Sequence, residues 1–405
     1  MIEEPKPKTL GIYIHIPFCV RKCLYCDFLS APAGEGEMER YIAALVREIE
    51  EESANYKDRR VVSVFLGGGT PSLLPAESIT RILDRVHACF HMEEACEISM
   101  EVNPGTATLE RLIAFQKGGG NRLSIGLQSS VDSELKALGR IHTRQDFIDT
   151  YELAVKLGFN NINIDLMSAI PGQTLESCAD SLKLVTSLQP PPSHISSYSL
   201  IIEEGTPFYE NVPELPDEDC EREMYKNTGD FLLSCGYQQY EISNYALPGY
   251  QCRHNERYWM REDYAGFGIG AASLIDNVRF SNTKNIDCYC NYYLQEKRNS
   301  QAESAPVESI AFAGIKEAEQ KLSVQEQMEE FMFLGLRMIQ GVSCQAFFRM
   351  FGVSIDHMYP GIVDDFCKKG LLERRIEPET GEERIKLTRR GIDVSNVVMA
   401  QFLFT

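Results

Sequence analysis

Cys19, Cys23 and Cys26 form CVRKCLYC, a C-x3-C-x2-C triplet on one short segment. Three thiolates this close in the chain can converge on one metal centre. Spacing alone leaves four chemistries open: an iron-sulfur cluster, a zinc site short of its fourth ligand, a redox dithiol of Cys23 and Cys26, or buried structural cysteines. A 4Fe-4S cluster held by three thiolates keeps one iron open to a substrate or cofactor, whereas four thiolates saturate it. The other ten of the thirteen cysteines show no such triplet and are expected to be mainly small buried hydrophobes.

A second set of candidates is spread along the chain. Gly67-Gly68-Gly69-Thr70-Pro71 directly follows the apolar run VVSVFL (61–66). Glycines let backbone approach a ligand and their amides can cradle a carboxylate, although turns need glycine anyway. Glu101, Gln128 and Asp165 end three further apolar runs. Any one of them can be a helix or turn cap; three at equivalent positions argue for one shared polar mouth. Later, HNERYW (254–259) places His254 beside Tyr258 and Trp259, the only tryptophan in the chain. A lone histidine is usually a satisfied surface or core residue. Here it comes with aromatic surface suited to a flat macrocycle, and an imidazole can ligate iron. Cys252 is a nearby competing ligand.

The elements that must position these residues read as α/β. GIYIHIPF (11–18), VVSVFL (61–66), EISMEV (97–102), RLSIGL (122–127), NINIDLM (161–167), HISSYSLI (194–201) and YQQYEI (237–242) have the length and β-branched content of buried parallel strands. Between the first two, Met38, Tyr41, Ile42, Leu45 and Ile49 recur at helical spacing, with Glu48 and Glu50 to Glu52 on the polar side. Alternating strand and helix means an α/β barrel or a doubly wound sheet. The predicted organisation is a barrel with its extension over 1–285, a polar linker over 286–322, and a small helical domain over 323–405. In that last part, 326–339, 343–352 and 362–372 read as helices, followed by a hairpin near Pro378 to Gly381 and the strand RIKLT, a winged-helix-like pattern.

Composition excludes several classes. Apolar residues at 43% and charged residues at 24% are those of an ordinary globular chain, not a disordered or fibrous one. A formal charge of -19 repels phosphate backbones and anionic lipid heads, so no nucleic-acid partner is expected even from a winged-helix-like domain, and Glu329, Glu330, Asp364 and Asp365 among its helices point instead to a structural or docking role. No run approaches a membrane span, the N-terminal MIEEPKPKTL has no apolar signal core, and the scattered cysteines fit a reducing compartment, so a cytoplasmic location is expected.

The triplet with Tyr25 before its last cysteine resembles the radical S-adenosylmethionine superfamily. With YIHIPFC (13–19), GGGTP (67–71), EVNP (101–104), RLSIGLQS (122–129), LGRIHT (138–143), IDLM (164–167) and PGQT (171–174), the chain is similar to its coproporphyrinogen III oxidase-like branch over about residues 10–280. That resemblance implies a partial (β/α)6 TIM-like barrel and a 4Fe-4S cluster on Cys19, Cys23 and Cys26. S-adenosyl-L-methionine is then contacted by Tyr13, Tyr25, Gly68, Gly69, Thr70, Glu101, Gln128, Arg140 and Asp165. Within the branch, the oxygen-independent dehydrogenases carry a fourth cysteine where this chain has Phe28, and they extend further at the N-terminus. HNERYW matches the H-N-x-x-Y-W motif of the HemW haem chaperones. The resemblance therefore implies a haem-binding protein, with His254 as iron ligand and Tyr258 and Trp259 shaping the site. Its partners would be haem-requiring acceptors such as respiratory enzymes, including a transient membrane-protein partner. The alternative is a radical enzyme acting on coproporphyrinogen III or another tetrapyrrole.

Overall fold

The computed structural model describes residues 8–295 and 315–404. Most of the N-terminal decapeptide and the middle of the predicted linker, 296–314, lie outside the described residues. The described chain divides into two compact units, one drawn from Met1–Phe231 and Asp263–Gln320, the other from Leu232–Glu262 and Lys321–Thr405.

In the first unit, β1 (Lys8–Ile16), β2 (Arg59–Gly68), β3 (Met92–Val102), β4 (Arg122–Gln128), β5 (Asn161–Ser168) and β6 (His194–Ser199) lie side by side in chain order, each parallel to the next. Helices such as Glu35–Glu52, Ala76–Cys89 and Arg144–Lys156 cover the crossovers, as parallel pairing requires. The alternating pattern predicts this parallel α/β architecture, and the resemblance implies its partial barrel. Beyond β1 the sheet continues through Tyr264–Phe267, parallel to β1, and then through Ala272–Ile275, Val278–Asn282 and Lys316–Lys321. The register sets His15 against Gly67 and Ile16 against Gly68, so the cysteine loop and the glycine turn leave the sheet as neighbours.

Several expectations need correction. YQQYEI is no parallel strand: Gln238–Glu241 turns back on Asn244–Ala246 as an antiparallel hairpin, because only two residues separate them. The predicted linker opens on a helix, Ile286–Leu294, capped by Asn285 and ending in left-handed Gln295, and closes on the strand Lys316–Lys321. Residues 232–262, with HNERYW, group with the C-terminal helices instead of with the barrel. One cause is the ion pair of Arg261 Nε with Glu330 Oε2 at 2.7 Å, both side chains nearly inaccessible. Of the ten cysteines outside the triplet, Cys96, Cys178, Cys252 and Cys290 are buried, while Cys235 and Cys288 are exposed.

Glu48 is the most instructive departure. Tyr41, Ile42, Leu45 and Ile49 are buried as their spacing predicts, but Glu48 is also only 2% exposed. Its carboxylate accepts from the Gly268 amide at 2.7 Å, Asn282 Nδ2 at 2.5 Å and the Tyr289 hydroxyl at 2.5 Å. These partners lie more than two hundred residues away in the chain, so helical periodicity is blind to them. Burial pushes the Glu48 carboxyl up to about 7, with the three hydrogen bonds pulling the other way.

The second unit holds the hairpin, the short helix Arg253–Trp259, and a helical domain closed by a three-stranded sheet. Its helices Val324–Gly335, Cys344–Phe351 and Ile362–Lys368 pack around Met332, Leu336, Phe347, Val363 and Phe402. Leu372–Ile376 and Glu383–Leu387 form the wing. The helices predicted to 339 and 372 stop earlier; Leu372 already belongs to the wing.

Two outcomes follow from Glu48. Replacing it by Gln sets an amide donor among three donors, so the urea midpoint falls by the equivalent of about 1–3 kcal/mol. Its raised pKa also makes the native state hold a proton that the unfolded chain releases. Stability therefore declines as pH rises from about 4.5 to about 7, and Glu48→Gln flattens that slope in thermal melts taken across the range.

Candidate cofactor site

The cysteine loop is pinned by backbone. The Cys19 amide donates to Ala31 O at 3.1 Å, the Leu24 amide to Leu138 O at 3.1 Å, and Arg21 Nη2 to Gly139 O at 2.7 Å. All thirteen cysteines are free, and Cys19, Cys23 and Cys26 are each half-buried. The Thr70 hydroxyl points to Cys19 Sγ at 3.4 Å and Arg140 Nη1 to Cys23 Sγ at 3.7 Å, donors of the kind that stabilise thiolates and tune cluster potentials. Burial pushes the Cys26 thiol up to about 11, so it ionises when something binds the thiolate.

Among the described residues, no three His, Cys, Asp or Glu side chains close around one ion. A 4Fe-4S cluster takes its thiolates on separate irons. The donor set fits such a cluster: three unpaired thiols, a hydroxyl and a guanidinium directed at sulfur, and no disulfide.

The glycine turn is needed by the fold itself. Gly68 has φ +107° with the His15 ring against it, and a Cβ on Gly69 would stand 2.7 Å from Phe18 O. The Gly68 amide does cradle a carboxylate, that of Glu101 on β3, at 2.9 Å. Burial and the charge of Asp165 push Glu101 up to about 8. Asp165 on β5 is raised by burial as well, while accepting from Asn163 Nδ2 at 2.8 Å and Ser124 Oγ at 3.2 Å. Gln128 ends β4 in the left-handed region at φ 69°, past a register shift, and accepts from the Tyr198 hydroxyl at 3.2 Å. Bulges and such backbone outliers concentrate at functional sites.

Arg140 joins these parts. Its Nη2 donates to Asn103 Oδ1 and, at 3.0 Å, to Gly126 O, while Asn103 Nδ2 donates to Thr70 Oγ1 at 2.9 Å. Tyr13 faces the same region, its hydroxyl 3.0 Å from His15 Nδ1, and Tyr25 packs beside Leu138, Met167 and Tyr198. Glu101, Gln128, Arg140 and Asp165 thus belong to one polar strand-end region with the cysteine loop. Asn103, Tyr198 and His15 were missed in the sequence reading; Asn103 sits within the quoted EVNP, and only the fold ties it to Arg140.

HNERYW lies in the other unit. His254 is 1% exposed, its Nε2 2.9 Å from the Tyr258 hydroxyl, so the imidazole is held inside the unit. Trp259 packs on Tyr240, Ala246 and Met338, and the Arg337 guanidinium stacks 4.3 Å from its ring centre. Phe28, at the position of the missing fourth thiol, is 56% exposed.

A family model described as the radical SAM superfamily matches residues 13–185, and one described as the HemN C-terminal domain matches 322–394. The heme chaperone HemW of Escherichia coli (strain K12) is 40% identical over 315 residues, 76% of this chain and 82% of that one. The heme chaperone HemW of Bacillus subtilis (strain 168) is 34% identical over 397 residues, covering 96% and 98%. The chain belongs to the HemW family. That family membership carries the radical SAM fold with it, and with the fold a 4Fe-4S cluster and S-adenosylmethionine. The solved structure of Escherichia coli coproporphyrinogen III oxidase (HemN) superposes with a TM-score of 0.77 at 22% identity, covering 98% of this chain and 90% of that one. At that identity the likeness to HemN is one of fold alone.

Removing one thiol tests the cluster assignment. After anaerobic reconstitution, the wild type is expected to be brown with about four irons per chain. Cys23→Ala should lose the broad visible absorbance and most of the iron; an unchanged iron and sulfide content would contradict the assignment.

Proposed function

We propose that this protein binds haem and passes it to haem-requiring acceptors, with a 4Fe-4S cluster on Cys19, Cys23 and Cys26. The HemW family supplies the first support, since the relatives named above are heme chaperones. The observation that carries the reading within this chain is the Arg253–Trp259 helix, which sets the imidazole, phenol and indole of HNERYW in one short element. Phe28 in place of a fourth thiol separates the loop from the pattern of the oxygen-independent dehydrogenases.

In this reading Tyr13, Tyr25, Gly68, Gly69, Thr70, Glu101, Gln128, Arg140 and Asp165 hold S-adenosylmethionine. Cys19, Cys23 and Cys26 would hold the cluster, and three thiolates would leave one iron open to that ligand. The chain's own residues orient and desolvate: Arg140 fixes the loop against β3 and β4, Thr70 and Arg140 donate to sulfur, and Glu101 retains its proton to about pH 8. His254 is the iron ligand of the haem, which requires its Nε2 to exchange the Tyr258 hydroxyl for iron, and Tyr258 and Trp259 shape the pocket. Haem acceptors such as respiratory enzymes, including membrane-bound ones met transiently, complete the scheme. The free state of all thirteen cysteines supports a cytoplasmic setting, and among the described residues no helix is long and apolar enough to cross a membrane.

Titration of the purified protein with haem is expected to give a shifted Soret band. His254→Ala should weaken binding by about tenfold or more, as loss of an axial ligand implies. A titration curve unchanged by that substitution would remove His254 from the site.

A further inference from the structure

We propose that Asn103 is a positioning residue for the cluster: its side-chain amide sets the hydrogen bonds that Thr70 and Arg140 donate to Cys19 and Cys23, and through them the reduction potential of the group those thiolates hold. The proposal rests on the cluster reading above and adds a residue that acts through its neighbours.

A guanidinium has only N–H donors, whereas a primary amide has an acceptor oxygen at one corner and a donor nitrogen at the other. Arg140 Nη2 meets the Asn103 side chain, so the amide oxygen has to face it, as Oδ1 does. The nitrogen is then turned the other way, and Nδ2 donates to Thr70 Oγ1 at 2.9 Å. A threonine hydroxyl has a single proton. With its oxygen already accepting from Asn103, Thr70 keeps that proton for Cys19 Sγ, 3.4 Å away. Arg140 completes the other branch, its Nη1 standing 3.7 Å from Cys23 Sγ. One amide therefore keeps the hydroxyl proton on the sulfur side and holds the guanidinium beside the second sulfur.

The backbone around both side chains is fixed. The Asn103 N–H donates to Ser72 Oγ at 3.1 Å, its carbonyl accepts from Thr106 Oγ1 at 2.7 Å, and the two hydroxyls stand 2.7 Å apart. Thr70 is buried, and its N–H donates at 2.7 Å to the carbonyl of Phe18, next to Cys19 in the chain. What remains to be set is the orientation of amide and hydroxyl, and Arg140 sets the first. Hydrogen bonds to a ligand sulfur favour the more negative, reduced state of a cluster and so raise its potential. Asparagine and aspartate share a shape but not their donors. In Asn103→Asp both oxygens accept, so the carboxylate draws the Thr70 proton away from Cys19 while still holding Arg140.

The test is an anaerobic redox titration of the reconstituted full chain, followed by cluster absorbance without S-adenosylmethionine, with iron content and circular dichroism measured on each sample. Thr70→Val should move the reduction equilibrium about tenfold against the reduced form, about 59 mV lower for one electron, and Thr70→Ser should stay near the wild-type midpoint. Asn103→Asp should lower the midpoint by at least as much, because it turns the hydroxyl and adds a negative charge. In the Thr70→Val background only the charge remains, so the same substitution should have an effect about tenfold smaller on that equilibrium. An Asn103→Asp midpoint at the wild-type value, a shift equal in both backgrounds, or a Thr70→Val midpoint at the wild-type value would each overturn the assignment of Asn103 and leave the cluster standing. A wild type that takes up no iron would instead bring down the cluster reading and this assignment with it. If Asn103→Asp fails to fold or to load, Asn103→Ala runs the same cycle without the added charge, and an equal shift in both backgrounds again overturns the assignment.

Discussion

The guanidinium of Arg140 is the contact on which the thiol site depends. It reaches the cysteine loop through Cys23 Sγ, β3 through Asn103 and β4 through the Gly126 carbonyl. Each alone is a modest interaction, yet together they hold a loop and two strand ends in one arrangement. A lysine could not do this, because its ammonium is a point charge without a rigid fork. The second effect is electrostatic: a buried permanent cation sits beside thiols that must become thiolates and near carboxyls whose own burial holds protons on.

Parallel register makes that arrangement possible. Adjacent strands running the same way bring β1, β2, β3, β4 and β5 to a common end, so residues far apart in the chain share one rim. Glu101 and Asp165 illustrate the consequence. Burial raises both carboxyls; the Asp165 charge adds to the rise at Glu101, while hydrogen bonds from Asn163 and Ser124 and the Arg122 charge oppose it at Asp165, so Glu101 keeps its proton near neutrality. The second unit follows another logic. There, the Arg337 guanidinium stacks over the Trp259 ring.

Much of this was legible in the residues. The cysteine spacing, the glycine turn and the three polar strand ends identified the thiol site because each breaks a local rule for core strands. The strands were visible because buried parallel strands are continuous apolar runs. What escaped was set by distant partners. Glu48 read as a surface residue because Asn282 and Tyr289, which satisfy it, lie far along the chain. The hairpin at Gln238–Glu241 carried the composition of a parallel strand, and composition does not encode direction. The placement of HNERYW with the C-terminal helices rests on Arg261 and Glu330, a pair invisible to any local pattern.

The account makes one chain both a cluster protein and a haem donor, so the decisive measurement follows the cargo. Reconstituted protein loaded with one equivalent of haem is mixed anaerobically with an apo-haemoprotein, and the same sample is assayed for vinyl products from added coproporphyrinogen III. The account predicts that the acceptor's Soret band grows to about one haem per donor chain while coproporphyrinogen III is left unchanged. Steady conversion of coproporphyrinogen III with no haem reaching the acceptor would contradict it.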